Sequence, residues 1–315
     1  MLITHPTSLS IQDSIKFAFR HLSEDEFPAR QQLIMNLIEN GSIEPDGFFV
    51  GIDNDIIVGV SIAQLRHDGL IMIWHPVTSD NYTIRPFFPL IDDYAKSRNA
   101  PAVILIADKD QFVDEKIFFE NGFTYISDML MLASNASETV TQIANENLKN
   151  NSLLQFIPAS KDTNKNGEKN YREHIIKLMC ETYVNTRDFP KLLMLSPVDR
   201  ILDEYQRNPF FRPELWFFVR KLYGSDKNYK DIGVLLLTDS PPDQIELTYM
   251  GLVEAERGQK YSKEIIKFTK KTACDYGRKL VTTAVDERNI AALRSYINHG
   301  FITWDRKKIY AKIFE

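Results

Sequence analysis

Cysteine is nearly absent from this chain: its 315 residues include two, Cys180 and Cys274. Two thiols cannot build a disulfide framework, and no CxxC or Cys/His grouping suggests a zinc site, so no metal is expected. Both lie in segments that read as helices, where a thiol is expected to act as a small buried apolar residue. Long apolar runs are lacking as well. None approaches the roughly 20 residues of a membrane span, and Met1 to Ser14 has no basic region followed by an apolar stretch, as a signal peptide would. The expectation is a cytoplasmic protein with no membrane partner, in which the sequons at Asn81 and Asn135 carry no glycan. Excess positive charge is also missing. With 38 Lys+Arg against 43 Asp+Glu, the formal net charge is −5, the wrong sign for a general nucleic-acid binder. What is present is ordinary: 43% hydrophobic and 26% charged residues, enough to build a core. The length exceeds one average domain, and two are expected.

The two halves of the chain repeat a pattern. Phe48-Phe49-Val50 matches Phe217-Phe218-Val219, Gly59-Val60 matches Gly233-Val234, Val77 matches Val253, and Gly122-Phe123 matches Gly300-Phe301. The offsets of 169, 174, 176 and 178 grow slowly along the chain, as slightly longer loops in the second copy would produce. In the first half, strands are expected over residues 47–52, 56–65 and 70–74, then a helix over 84–97, a buried strand over 102–107, a short helix over 114–121 and a last strand over 124–133. In the second half the corresponding strands are 215–222, 231–238 and 244–253, followed by a helix over 260–276, a strand over 279–285, a helix over 289–299 and a strand over 304–313. A polar stretch at 135–152, with a short helix around Val140, Ile143 and Leu148, is taken as the linker between a domain at 1–134 and another at 153–315. Antiparallel strands followed by β-α-β-α-β make a mixed α/β (α+β) fold.

Two segments of the second half carry chemistry. A strand ends at Val253, a polar turn follows at Glu254-Ala255-Glu256-Arg257-Gly258, and a helix begins near Lys260. Amides at a helix start lack intrahelical acceptors and the helix dipole is positive there, so such a turn suits a pyrophosphate, with Arg257, Lys260 and Lys263 adding charge. An ordinary solvated helix start has the same composition. The second segment is Asn289-Ile290-Ala291-Ala292-Leu293-Arg294-Ser295-Tyr296, closed by Gly300-Phe301. Asn289 is a good N-cap and Gly300 a stop. At 3.6 residues per turn Asn289, Ala292 and Tyr296 share one stripe, a small residue between two hydrogen-bonding ones, leaving room for a narrow chain such as pantetheine.

Together these segments resemble the GNAT acyltransferase superfamily, and the tandem layout is similar to mycothiol-synthase-like proteins. The family's Arg/Gln-x-x-Gly-x-Gly/Ala turn is read in degenerate form at Arg257-Gly258-Gln259-Lys260-Tyr261-Ser262, with Ser262 in place of the second small residue, and its Asn-x-x-Ala-x-x-x-Tyr-x-x-x-Gly-Phe helix is matched in full from Asn289 to Phe301. The resemblance implies two tandem acyl-CoA N-acyltransferase folds and direct transfer of an acetyl group from acetyl-CoA to an amine of a small molecule or a peptide. It implies a CoA site at Leu252, Val253, Arg257, Gly258, Gln259, Lys260, Tyr261, Ser262, Lys263, Asn289, Ala292 and Tyr296. Tyr296 is the implied acid for the leaving thiolate, a backbone amide around Leu252 or Val253 the implied donor to the thioester carbonyl, and Glu246 or Tyr249 the candidate base, with Arg187 and Asp188 as candidates for the acceptor side. Lys260 departs from the family glycine; a negative φ there would make glycine unnecessary. The first half departs further. It reads His75-Pro76-Val77-Thr78-Ser79-Asp80-Asn81-Tyr82 at the turn and has Phe118 in place of the tyrosine, so it is expected to be a pseudo-domain serving packing or shaping the acceptor cleft. The alternative function is a non-catalytic acyl-CoA-responsive module. The expected state is a monomer or homodimer.

Overall fold

A computed structural model describes residues 1–7, 10–108, 114–137, 154–161, 171–223, 228–240 and 242–314. Of the expected linker, 135–152, residues 138–152 with the short helix lie outside these residues, while Asn135 is the last residue of a strand. The chain folds into two compact units. The first comprises Met1–Ser127, Lys191–Arg200 and Lys307–Glu315, and the second Asp128–Pro190 and Ile201–Arg306. Among the described residues no helix is long and apolar enough to cross a membrane.

The first unit opens with β1 (Leu2–Thr4), α1 (Ile11–Ala18) and α2 (Phe27–Glu39). A meander follows of β2 (Phe48–Asp53), β3 (Ile56–Leu65) and β4 (Ile71–Thr78). Asn54 and Asp55 turn the first hairpin with φ of 48° and 61°, the left-handed angles that a two-residue turn of this hand demands and that Asn and Asp tolerate. After α3 (Phe87–Ser97), β5 (Ala102–Asp108) pairs in parallel with β4, but only over Ile71–Ile73. α4 (Glu115–Glu120) is capped by Asp114, whose carboxylate accepts the Ile117 amide at 3.2 Å. The sheet continues on the far side of β5 with Lys307–Ile313 from the last strand of the chain, antiparallel to it. Two apolar clusters flank the sheet. Phe87, Phe88, Phe118, Phe123 and Tyr310 pack on one face, and Ile15, Phe19, Ile34, Phe48 and Val60 on the other. Edge-to-face contacts at 5.1–5.8 Å join Phe88, Phe118 and Phe123.

The second unit takes Asp128–Asn135 from β6 (Thr124–Asn135) and then β7 (Leu154–Pro158), α5 (Tyr171–Tyr183), part of the segment bearing α6 (Pro190–Leu193) and α7 (Val198–Gln206), and the meander β8 (Trp216–Tyr223), β9 (Asn228–Ser240) and β10 (Gln244–Leu252). α8 (Ser262–Asp275), β11 (Leu280–Asp286) and α9 (Ile290–Asn298) complete it, with β12 (Ile302–Ile313) leaving it after Arg306. β11 runs between β10, parallel over Gln244–Glu246, and β6, antiparallel over Met129–Asn135. Both units thus build an antiparallel meander that ends in one short parallel pair.

The structure moves several expected boundaries. α3 begins at Phe87 rather than Ile84 because Pro86 disfavours helical angles in the residue before it. α8 begins at Ser262 rather than Lys260, for a reason given below, and β4 and β9 run further than the sequence suggested. The buried reading of the thiols fails for Cys180. It is exposed on α5, two residues along from Leu178 and off the face that buries Ile175, Leu178, Met179 and Thr182. Cys274 is half-buried.

Candidate functional site

The chemistry of the second unit begins where β10 and β11 stop pairing. Their parallel register ends at Glu246 opposite Thr282, and the chain shifts register against β9 between Leu247 and Tyr249. The bulge adds one residue to β10 and turns the strand away. Beyond it opens a cleft of about 660 Å³ bounded by Leu247–Leu252, Thr283–Val285, the loop after α5 and the start of α9. Gly251 forms part of its floor. A Cβ there would lie 2.8 Å from Cβ of Thr182 and 2.5 Å from the Tyr249 hydroxyl, so the residue must be glycine for α5 to approach β10.

α9 presents Asn289, Ala292 and Tyr296 to this cleft, together with Ala291. Asn289 caps the helix, accepting the Ala292 amide at 3.3 Å. Tyr296 is buried, and burial, then the nearby Asp188 charge, raises its hydroxyl well above the ordinary tyrosine range. It engages the Thr283 hydroxyl, which itself donates to the Leu247 carbonyl at 2.9 Å. Across the cleft, Asp188 has its carboxyl raised, first by burial and then by the neighbouring Asp286 charge. Asp188 Oδ1 accepts the Asp286 amide at 3.0 Å. The Tyr249 hydroxyl lies 2.8 Å from that of Thr182, and its ring meets Tyr183 edge-to-face at 5.6 Å.

The turn after β10 is anchored by its side chains. Arg257 Nε donates to the Leu252 carbonyl at 3.0 Å, and its Nη atoms donate to the carbonyls of Thr182 and Asn185 at 2.8 and 3.3 Å. The guanidinium thereby closes the C-terminal end of α5 instead of standing free for phosphate. Glu254 accepts the Asn185 amide group at 2.7 Å, and Glu256 accepts from Lys221 and Tyr223 at 2.8 and 2.6 Å. So fixed, the turn leaves the amides of Gly258 to Ser262 without a backbone acceptor among the described residues. Lys260 takes φ of 64°, beside Gly258 at 77°. The negative φ that would have made glycine unnecessary is not adopted. A residue in this left-handed region cannot belong to the helix, which is why α8 starts two residues later.

Of the residues read from the sequence, Leu252, Arg257, Asn289, Ala292 and Tyr296 line the cleft, together with Tyr249, Arg187 and Asp188. Val253 is buried and its amide donates to the Ile232 carbonyl at 2.9 Å, so it is not free to polarise a ligand. Strand alternation directs the Leu252 amide to the opposite edge, the one parted from β11. Gly258, Gln259, Lys260 and Tyr261 form the turn before α8, Ser262 and Lys263 begin it, and none of the six lines the cleft. Glu246 does not line it either; its carboxyl sits before the strands part and is raised by burial alone. Thr182, Asn185 and Thr283 line the cleft without any sequence signal, since isolated Thr and Asn residues on a helix or strand look like any others.

No family model and no curated protein sequence matches the chain. Solved structures do match in fold. A GCN5-related N-acetyltransferase from Sphaerobacter thermophilus superimposes with a TM-score of 0.63 at 12% identity, covering 99% of this chain and 95% of that one. A tandem GNAT protein from the clavulanic acid biosynthesis pathway gives 0.53 at 10% identity, covering 98% and 97%. The glucosamine N-acetyltransferase region of a fungal multi-domain GH3 β-N-acetylglucosaminidase gives 0.55 at 13%, covering 98% of this chain and 38% of that one. The chain therefore has the fold of the GCN5-related N-acetyltransferases. Its coverage end to end against the tandem protein extends that likeness over both halves.

Proposed function

We propose that the protein is an acyl-CoA-dependent N-acetyltransferase acting on the amine of a small molecule, with its chemistry in the second unit. The observation that carries the reading is the pairing, in one cleft, of a buried Tyr296 with a raised Asp188 beside a helix start whose amides lack acceptors. The chain fits a CoA thioester as follows. Amides at Gly258–Ser262, with Lys260 and Lys263, would hold the pyrophosphate. The parted edge of β10 and the small face at Ala292 would hold the pantetheine, with the Leu252 amide directed at the thioester carbonyl. Asp188 takes one proton from the attacking ammonium and passes it to solvent; the amine nitrogen then forms the C–N bond as the C–S bond breaks, and releases its second proton to solvent. Tyr296, protonated at neutral pH as an ordinary tyrosine would be and held so further by burial, gives its proton to the departing sulfur and recovers one from solvent. In this proposal the base role lies with Asp188 and not Glu246, because Asp188 faces the cleft.

The left-handed Lys260 and the committed Arg257 favour a second reading, a module that binds acyl-CoA without turning it over. Isothermal titration with acetyl-CoA and CoA, followed by thiol release across a panel of primary amines, separates the two. Binding with amine-dependent thiol release supports the transferase. Binding without release from any amine supports the module, and absence of binding at millimolar ligand overturns both.

A further inference from the structure

Four charged side chains line the cleft of the second unit: Arg187, Asp188, Glu254 and Arg257. Three of them have partners within the protein. Arg257 donates to the carbonyls of Leu252, Asn185 and Thr182, Glu254 accepts the Asn185 side-chain amide, and Asp188 accepts the Asp286 amide. Arg187 is exposed and makes no hydrogen bond or ion pair among the described residues, not even with Asp188 beside it. Its backbone is nevertheless tied down on both sides. Before it, the Asn185 carbonyl accepts from Arg257 at 3.3 Å. After it, the Asp188 amide donates to Thr186 Oγ1 at 3.2 Å and the Phe189 amide to Asp286 Oδ2 at 3.2 Å.

An unpaired guanidinium works against a plain amine. Amines arrive as ammonium ions, and a free cation in the same cleft repels them. It assists an acceptor that brings its own anion. The planar fork of a guanidinium matches a carboxylate with two parallel hydrogen bonds, while Asp188, the next residue, takes the ammonium. Opposite charges on adjacent residues that line one cleft without pairing with each other are the complement of a zwitterion. The cofactor makes no claim on Arg187 in the transferase reading, where its pyrophosphate is met by the amides of Gly258–Ser262 with Lys260 and Lys263, outside the cleft lining. Resting on that reading, we infer that the acceptor is an amino acid, one molecule carrying both an amine and a carboxylate, with the carboxylate held by Arg187 and the reacting ammonium at Asp188.

The test uses the full chain with glycine, β-alanine and 4-aminobutyrate, each paired with its own amide, which keeps the amine and removes the negative charge. At least one acid should release thiol from acetyl-CoA with a kcat/KM about tenfold or more above that of its amide, the worth of a charged hydrogen bond. Arg187→Gln should bring that ratio to about one, and Arg187→Glu should reverse it. Both variants should keep the CoA dissociation constant within about twofold. Three results overturn the inference: equal use of acids and amides by the wild type, an Arg187→Gln variant that slows both equally, or a loss of CoA affinity in that variant, which gives the guanidinium to the cofactor. If no amine releases thiol, the transferase reading fails separately, and calorimetric titration of the acids in the presence of CoA decides the inference. Acid binding that Arg187→Gln abolishes upholds it; acid binding unaltered by the substitution, or none at all, overturns it.

Discussion

The Asp286 amide donates to Asp188 Oδ1 at 3.0 Å, while Asp286 Oδ2 accepts the Phe189 amide at 3.2 Å. Each aspartate thus holds the backbone of the other's segment. The arrangement fixes the loop after α5 against the end of β11 and keeps Phe189 at a left-handed φ of 42°, a strained angle for an aromatic residue. It also brings two carboxylates together, and their mutual repulsion adds to burial in raising Asp188.

Asp188→Asn separates these roles. Asparagine retains an oxygen for the Asp286 amide, so the loop should hold and CoA should bind as before. Without a base, kcat should fall about 100-fold or more. The acidic limb of the wild-type pH–rate profile, displaced above the ordinary aspartate value of 3.8, should vanish in the variant. A pH–rate profile with an unchanged acidic limb would remove Asp188 from the base role.

Tyr296→Phe deletes one hydroxyl from a buried ring that also packs on Phe301 at 5.2 Å. Packing should survive, with a CoA dissociation constant within about twofold, while kcat drops by about 10- to 100-fold. Since the hydroxyl is raised above the ordinary tyrosine value of 10.0, wild-type kcat should show no loss from tyrosine ionisation up to that pH. Single-turnover thiol release measures both effects, and equal rates for the two proteins would exclude a proton-donor role.

Lys260 is strained by its backbone, not its side chain. Lys260→Gly should unfold at higher urea than Lys260→Ala, by about 1 kcal/mol, because only glycine takes φ of 64° freely. Both variants lose the same charge, so any equal fall in CoA affinity, graded with salt, measures the lysine's phosphate contact. Identical stabilities would show that the turn does not hold the left-handed angle in solution.

His75 makes the first unit acid-sensitive. Burial lowers it from 6.5 to about 4, so the folded chain resists a proton that the unfolded chain binds. Stability is unaffected above pH 6.5, declines as pH falls from there, and levels off below about 4, a loss of about 3 kcal/mol. Urea melts should show the wild type losing about that much more stability than His75→Gln between pH 6.5 and 4. Parallel curves would mean that the histidine is as solvated folded as unfolded.

Much of the fold was legible because it rests on local patterns. Alternating apolar residues, Asn-Asp and Gly turn signals, and the 3.6-residue stripe Asn289-Ala292-Tyr296 are properties of short windows, and each is reflected in an element or a cleft wall. The carboxylate proposed as base was not legible. Glu246 and Asp188 are both carboxylates in reach by sequence, and only the point where β10 and β11 part decides which faces the cleft. Arg257 shows the same limit: its type suits phosphate, but the carbonyls at the end of α5 claim it.

By itself the sequence determined the order of elements, the likeness of its halves and the helix carrying Asn289 and Tyr296, because hydrophobic period and capping act within a turn or two of chain. The tertiary structure decided that Lys307–Ile313 completes the first unit's sheet and Asp128–Asn135 the second's. It also decided the left-handed angle at Lys260 and that Arg187, unlike Arg257, stays unpaired in the cleft. Strand partners and unpaired charges are set by contacts between distant residues, which no window of sequence contains.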